Sequence, residues 1–575
     1  MARLAVLLLP LLWGGCAGPA QEPAADTPEG PTFPTVNRPE VRGTKGAVSS
    51  DHPLASAAGL DVLRRGGNAV DAAIAMAGVL AVVRPHMNGV GGDAFGLFYE
   101  GETGAVTALN GSGGAGTQAT PEFFQAAGHE TVPEVGPLSV SVPGAVAAWE
   151  AALNRYGTMP LAELLRPAIE YARDGFPVST RLASDFEAQG SALNDVGREK
   201  YLPGGAPPTT GSLLKNQALA TTLDAIATGG ADVFYRSEIG ARLAGFVDSL
   251  GGALTPADLA AHESEWVEPV TGEYLGQTLH VMPPNTQGIT QIAYAEMAKH
   301  HPLKEMGHNS SPYLHTMIEL KKLAFADRDS WVADPAFADV PVERLLDGDY
   351  LSDRATLVDM ENAAEVRPPG ISHDMATNHD ANTGAANDDG DTVYLTAVDQ
   401  WGNAVSWIQS LFHGFGSGLL EPETGVVLHN RGSLYTLQAG HPNIVAPGKR
   451  PYHTLTPLLA TDPGGAFAFT LGTPGGDSQT QSLLQIMNNI GLFGMTPQAA
   501  IEAPRFRSNG GTALSIEDRI GGAALDELAA LGHDIHVIHG WTATFGGAQM
   551  IVAGPVSGTW IAAADPRREA YALAY

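Results

Sequence analysis

Cysteine is almost absent. The 575-residue chain has one, Cys16, so no internal disulfide can brace it. Aromatic residues make up only 7%. Basic residues are outnumbered, 32 Lys and Arg against 62 Asp and Glu, for a formal charge of −30. That sign repels phosphates and argues against a nucleic-acid partner. No HExxH pair occurs and the histidines show no ligand spacing, so no metal site is read from them. No apolar run reaches the roughly 20 residues that a membrane-spanning helix needs. What is abundant is glycine (69) and proline (40), the mark of many loops, beside a 44% hydrophobic fraction that supports a packed core.

The first residues form a targeting pattern. Arg3 precedes an apolar stretch, Leu4 to Trp13, then Gly14-Gly15 and Cys16. Residues 1–15 read as an export signal. Small residues before a lone cysteine fit a bacterial lipoprotein signal, with Cys16 lipidated after cleavage; the alternative is a soluble secretory signal. Residues 16–39, rich in Pro, Ala, Glu and Thr, read as a flexible tether. The expectation is an exported protein of the periplasm or cell envelope, held by a lipid rather than spanning the membrane.

Along the chain, Asp51 is expected to cap a helix with Pro53 in its first turn, stopped at Gly66-Gly67. Asn68 opens a second helix, 69–83, almost wholly small and apolar, which fits burial against a sheet. Asn88-Gly89-Val90-Gly91-Gly92-Asp93 loosely matches a dinucleotide fingerprint. The order is inverted, with a helix before the glycines and a strand (94–99) after them, so NAD is rejected and a tight turn fits better. Residues 143–261 are mostly helical, and 312–329 reads as an amphipathic helix. Residues 361–391 are polar and without periodicity. Strands follow at 393–398, 404–411, 425–428, 455–459 and 466–471, then helices at 479–490 and 496–502. Long helices around many antiparallel strands predict a layered α/β protein.

Thr392 sits where the polar stretch meets the strand 393–398. A threonine placed so can become a new amino terminus, whose α-amine then serves its own hydroxyl as base. The plain alternative is turn chemistry. Ser410, on the return strand, can be brought beside Thr392, or can be an ordinary cross-strand hydrogen bonder. Gly472-Thr473-Pro474-Gly475-Gly476 links a strand to a helix. Exposed amides of Gly475 and Gly476 would make an oxyanion hole, or the run is only a glycine turn.

Taken with the runs Gly66-Gly67-Asn68-Ala69-Val70-Asp71, Pro85-His86, Val142-Pro143-Gly144, Leu323-Ala324-Phe325-Ala326-Asp327-Arg328, Ala503-Pro504-Arg505-Phe506 and Asp565-Pro566-Arg567, these motifs resemble the γ-glutamyltransferase family of N-terminal-nucleophile hydrolases. The resemblance runs from about Gly46 to Tyr575. It implies a four-layer αββα sandwich, made as one precursor that cuts itself between Asp391 and Thr392. The products would be a large subunit, 40–391, and a small one, 392–575, associated as a heterodimer. It implies Thr392 as nucleophile, Ser410 beside it, Gly475 and Gly476 as oxyanion donors, a small-molecule amide as substrate, and neither metal nor organic cofactor.

Substrate-holding positions depart from the family pattern. Asn110 stands where γ-glutamyl enzymes carry an arginine for the substrate carboxylate. Ser433 and Leu434 stand at an acidic pair, Phe412 at an asparagine, and His453-Thr454 at a serine pair. Each lost charge-assisted bond is worth about 1.5–3 kcal/mol. Arg431 is the best candidate for a replacement carboxylate clamp, helped by His453; its alternative is a structural salt bridge. The pattern looks like the acylase-like branch, so hydrolysis of an acyl amide is expected. The alternatives are a true glutathione hydrolase or transpeptidase, and a non-catalytic surface lipoprotein that keeps the fold.

Overall fold

The structure is a computed structural model that describes residues 36–372 and 391–575. The signal segment, Cys16, the tether through residue 35 and residues 373–390 of the polar stretch lie outside the described residues. Among the described residues no helix is long and apolar enough to cross a membrane.

Thr392 lies on Asp391–Val398, a strand whose eight residues are all buried. Alternate side chains serve two cores. Val393, Leu395 and Ala397 pack under helices, whereas Tyr394 and Val398 point into a second core between two sheets. The first sheet has seven strands in the order Tyr571–Ala574, Ala47–Ser50, Asp391–Val398, Ala404–Phe412, Asp93–Tyr99, Val106–Gly111, Glu265–Val267. The second also has seven: Val41–Gly43, Trp560–Ala564, Gln549–Ala553, Phe467–Gly472, Leu458–Thr461, Gln277–Val281, Val270–Tyr274. Every neighbouring pair in both is antiparallel. Polar links cross the gap between the sheets: Thr396 Oγ1 lies 2.6 Å from Thr470 Oγ1, and Ser406 Oγ donates to the Leu458 carbonyl at 3.0 Å. Helices cover both outer faces, which completes the αββα sandwich.

The helix Ala69–Val83 is buried along its whole length, as its composition predicts. Its one acid, Asp71, accepts from Asn68 N, Thr158 N and Met159 N at 2.9, 2.9 and 3.1 Å, so burial leaves it satisfied. Asp399, in the hairpin turn after the Thr392 strand, accepts from Ala69 N at 3.0 Å. A carboxylate at the positive end of the helix thus fastens helix to hairpin.

Three local expectations change. His52, not Asp51, caps the helix Pro53–Arg64, accepting from Leu54 N at 3.2 Å, because Asp51 turns inward toward Arg84. The helix Ser311–Trp331 is buried on most of its surface rather than half-exposed, because residues 359–367 pack back onto it. Residues 425–428 form no regular strand but one bridge, Leu420 to Val427, since Leu428 instead pairs with Ser417 and Leu419.

Candidate active site

The hairpin Asp391–Val398 and Ala404–Phe412 puts Thr392 directly opposite Ser410. Both are buried, and Thr392 Oγ1 donates to Ser410 Oγ at 3.0 Å. Pairing shifts by one residue between Thr392 and its neighbour, skipping Leu411, so that Phe412 is the partner of Asp391. Its carbonyl oxygen then accepts from Ser410 Oγ at 2.9 Å. Phe412 N and Arg431 Nη2 also donate to Ser410 Oγ, at 2.7 and 3.2 Å. A serine hydroxyl has two lone pairs. Three donors therefore compete for them, and Ser410 is driven to present its own proton to the Asp391 carbonyl. The adjacent guanidinium strengthens that donation. Phe412, at φ 83°, takes a strained left-handed turn here, and the Arg431 guanidinium stacks over its ring at 4.3 Å.

The glycines before the neighbouring strand are space-makers. A Cβ on Gly92 would come within 2.4 Å of the Ser410 carbonyl oxygen, and one on Gly91 within 2.2 Å of the Val427 oxygen. Close approach, not a dinucleotide, explains the run.

Gly475 and Gly476 follow a strand of the second sheet, Phe467–Gly472. Thr470 meets Thr396, and Gly472 lies against Tyr394, where a Cβ would come within 2.2 Å of the ring. The turn 474–476 follows directly on the strand that ends at Gly472. Gly475 and Gly476 adopt φ of 118° and 51°, and among the described residues no acceptor pairs with either amide. Two residues to which the sequence reading gave no role at the site hold this turn. Arg328 grips Asp477 at 2.6 and 3.1 Å. Gln287 Nε2 donates to the Thr454 carbonyl at 2.6 Å and to the Gly476 carbonyl at 3.4 Å. Arg328 lies in the Ala326-Asp327-Arg328 run, which was its only sequence signal.

The residues considered for substrate binding form one connected scaffold. Arg431 Nη1 donates to Thr454 Oγ1 at 3.1 Å, so two of its donors go to Thr454 and Ser410. Asn110 donates to Asn285 Oδ1 at 2.9 Å and accepts from Ser112 N and Oγ at 3.0 and 2.7 Å. Asn285 in turn takes the His453 N–H at 2.8 Å. His453 Nε2 lies 3.2 Å from Asp93 Oδ2, and His429 Nδ1 lies 3.3 Å from the same oxygen. Burial, and then the nearby charge of Arg431, push the His453 imidazole down to about 3, so it is neutral at ordinary pH. Burial alone would raise Asp93, but its contacts with His429 and His453 outweigh it and hold the carboxyl well below the usual range. His453 therefore brings no positive charge to a substrate.

Charge is found instead beside Asp391. Arg568 Nη2 binds Asp391 Oδ1 at 3.0 Å, and Gln189 Nε2 donates to Asp391 Oδ2. Elsewhere His315, Glu319 and His533 bring three metal-ligating side chains together, but Glu319 already pairs with Lys322 at 2.7 Å and Arg367 at 2.8 Å. Two cations there oppose a third.

The family model for γ-glutamyltranspeptidase matches residues 55–575. The chain belongs to the γ-glutamyltranspeptidase family. It is 36% identical over 542 residues to the glutathione hydrolase-like YwrD proenzyme of Bacillus subtilis (strain 168), covering 93% of this chain and 99% of that one. It is 36% identical over 548 residues to the oxamate amidohydrolase proenzyme of Klebsiella pneumoniae subsp. pneumoniae, covering 92% and 99%. Among solved structures, cephalosporin acylase from Bacillus halodurans superimposes with a TM-score of 0.86 at 35% identity, over 96% of this chain and 99% of that one. The protein is accordingly an enzyme, a hydrolase of a family made as proenzymes, with the N-terminal-nucleophile fold.

Proposed function

We propose that the chain cuts itself between Asp391 and Thr392 and then hydrolyses an acyl amide through an acyl-enzyme on Thr392. The supporting observation is the position of Ser410 Oγ, 3.0 Å from the Thr392 hydroxyl and 2.9 Å from the carbonyl that hydroxyl would attack. Before cleavage the Thr392 nitrogen is an amide and cannot act as base. Ser410 supplies what is missing, polarising the carbonyl and offering a path for the hydroxyl proton. Attack moves the Asp391 acyl group from nitrogen to oxygen, and the proton ends on the freed amine. Water then splits the ester. The products are a large chain ending at Asp391, with the 16–39 tether still attached, and a small one, 392–575, which stay paired because the first sheet interleaves strands of both.

In turnover the free α-amine takes the Thr392 hydroxyl proton, Gly475 and Gly476 amides hold the oxyanion, and the amine product leaves with that proton. Water releases the acyl group more readily than a peptide acceptor does. A γ-glutamyl group is held weakly, because Asn110 and His453 supply no charge where a carboxylate would sit. The mature protein is exported and anchored through lipid on Cys16. Assays on γ-glutamyl, glutaryl and oxamic amides, with and without a dipeptide acceptor, test this reading. Hydrolysis unaffected by the acceptor supports it. Efficient transfer from glutathione to a dipeptide would establish a transpeptidase instead.

A further inference from the structure

The proposal here rests on that amidohydrolase reading and concerns which acyl group it takes. The ester formed during self-cleavage is itself an acyl-enzyme, with Asp391 as the acyl group on Thr392 Oγ. The uncut chain thus shows a carboxylate-bearing acyl group seated against the nucleophile.

Its side-chain carboxylate occupies a built socket. Asp391 is buried. Arg568, also buried, donates to Oδ1 at 3.0 Å, and Gln189 donates to Oδ2. Arg568 comes from the loop after Trp560–Ala564, and Gln189 ends the helix Thr180–Gln189, so the small and the large subunit contribute one donor each. The neighbouring acids have their own cation: Arg84 lies 3.6 Å from Asp51, 3.9 Å from Asp185 and 2.8 Å from Glu569. Arg568 has Asp391 as its close anionic partner, and its other terminal nitrogen contacts the Met87 sulfur at 3.1 Å.

For a substrate carbonyl to reach Thr392 Oγ, Asp391 must withdraw. A buried guanidinium and a half-buried amide then lose the carboxylate they were holding, and an anion is the group that restores both bonds. We propose that Arg568 and Gln189 form the acyl-carboxylate subsite of the mature enzyme. The spacing follows from Asp391 itself, whose carboxylate is attached through two carbons to the reacting carbonyl. The matching substrates are half-amides of four-carbon diacids, succinyl or α-linked aspartyl amides. In the reaction the acyl carbon–nitrogen bond breaks as the carbon–oxygen bond to Thr392 forms. The Thr392 proton leaves on the amine, and water returns a proton to Thr392 as the free diacid departs.

The test uses the processed full-length enzyme and the 4-nitroanilides of succinic, glutaric and butyric acids. The expected result is a kcat/KM for the succinyl compound roughly 10–100-fold above that of the butyryl compound, and above the glutaryl one. Gln189→Leu and Arg568→Lys, assayed after processing, should reduce the succinyl-to-butyryl ratio, mainly through a higher KM for the succinyl substrate. Inhibition of wild-type butyryl hydrolysis by free succinate gives a readout that needs no variant. Equal turnover of succinyl and butyryl substrates would overturn the subsite while leaving the amidohydrolase reading standing. So would variants that slow both substrates alike, the mark of a merely structural role. Failure of the processed enzyme to cleave any of the three would overturn the subsite and the reading together.

Discussion

Two walls flank Thr392, and they handle charge in opposite ways. One, built from Asn110, Asn285, Ser112 and His453, is neutral and closed on itself by hydrogen bonds. The other, built from Arg568, Gln189 and the Arg84 cluster, is charged and already grips a carboxylate, that of Asp391. The resemblance directs attention to the first wall, because γ-glutamyl enzymes bind their substrate carboxylate there. Side-chain chemistry directs it to the second. A shared nucleophile and hairpin therefore do not by themselves fix the acyl group.

The comparison breaks most violently at the element both walls share. Thr392→Ala should give a chain that neither cuts nor turns over any amide, read on a denaturing gel and by anilide hydrolysis. A cut, active variant would remove the nucleophile from the scheme. Ser410→Ala should slow self-cleavage by roughly 10²–10³-fold, the usual effect of losing one donor to a reacting carbonyl. Pulse-chase of freshly made chain measures that rate, and wild-type cleavage in the variant would show that Ser410 is only a cross-strand bonder.

Smaller changes separate the walls. Asn110→Ala leaves Asn285 and Ser112 short of a partner and should cost about 1–3 kcal/mol of stability. By calorimetry that is a fall of roughly 1 °C per kcal/mol in a chain this large. The ranking of acyl substrates should not change, and a changed ranking would make the neutral wall a recognition surface after all. Asp51 gives the most specific effect, confined to one stretch of pH. Burial raises its carboxyl from 3.8 to about 6, against the pull of Arg84 and Arg568. A raised carboxyl is a stabilising proton-binding site at low pH, and that contribution is lost as pH climbs from 3.8 to about 6. Asp51→Asn should flatten this part of the stability-against-pH curve, and an unchanged curve would place the loss elsewhere.

Much of this was legible in the chain, for physical reasons that differ between elements. The Thr392 hairpin was readable because a β-rich run, a Gly-Asn turn and a second run leave little choice of pairing. The helix Ala69–Val83 was readable from an apolar composition that tolerates burial on all sides. The strands Ala47–Ser50 and Tyr571–Ala574 were not read. They are short and lack alternation, and only their pairing, with the Thr392 strand and with each other, defines them. At the site, the placement of Ser410 beside Thr392 was legible, because the short turn leaves the two strands one way to pair. The site was illegible where a side chain works through a distant partner. Arg568 and Gln189 lie far apart in the chain, and nothing local in either shows that the fold brings both to Asp391. Asn110 taught the reverse. Its position in the motif marked it as substrate-facing, and its amide is committed to neighbours that no motif names.

Everything depends on the bond between Asp391 and Thr392. Intact-mass measurement of the purified active protein, followed over hours from synthesis, tests it most directly. The precursor mass should give way to two chains, the smaller beginning at Thr392 with a free amine, and hydrolytic activity should rise in step. Full activity in a chain that remains whole across that bond, or a new terminus at another residue, would contradict the mechanism.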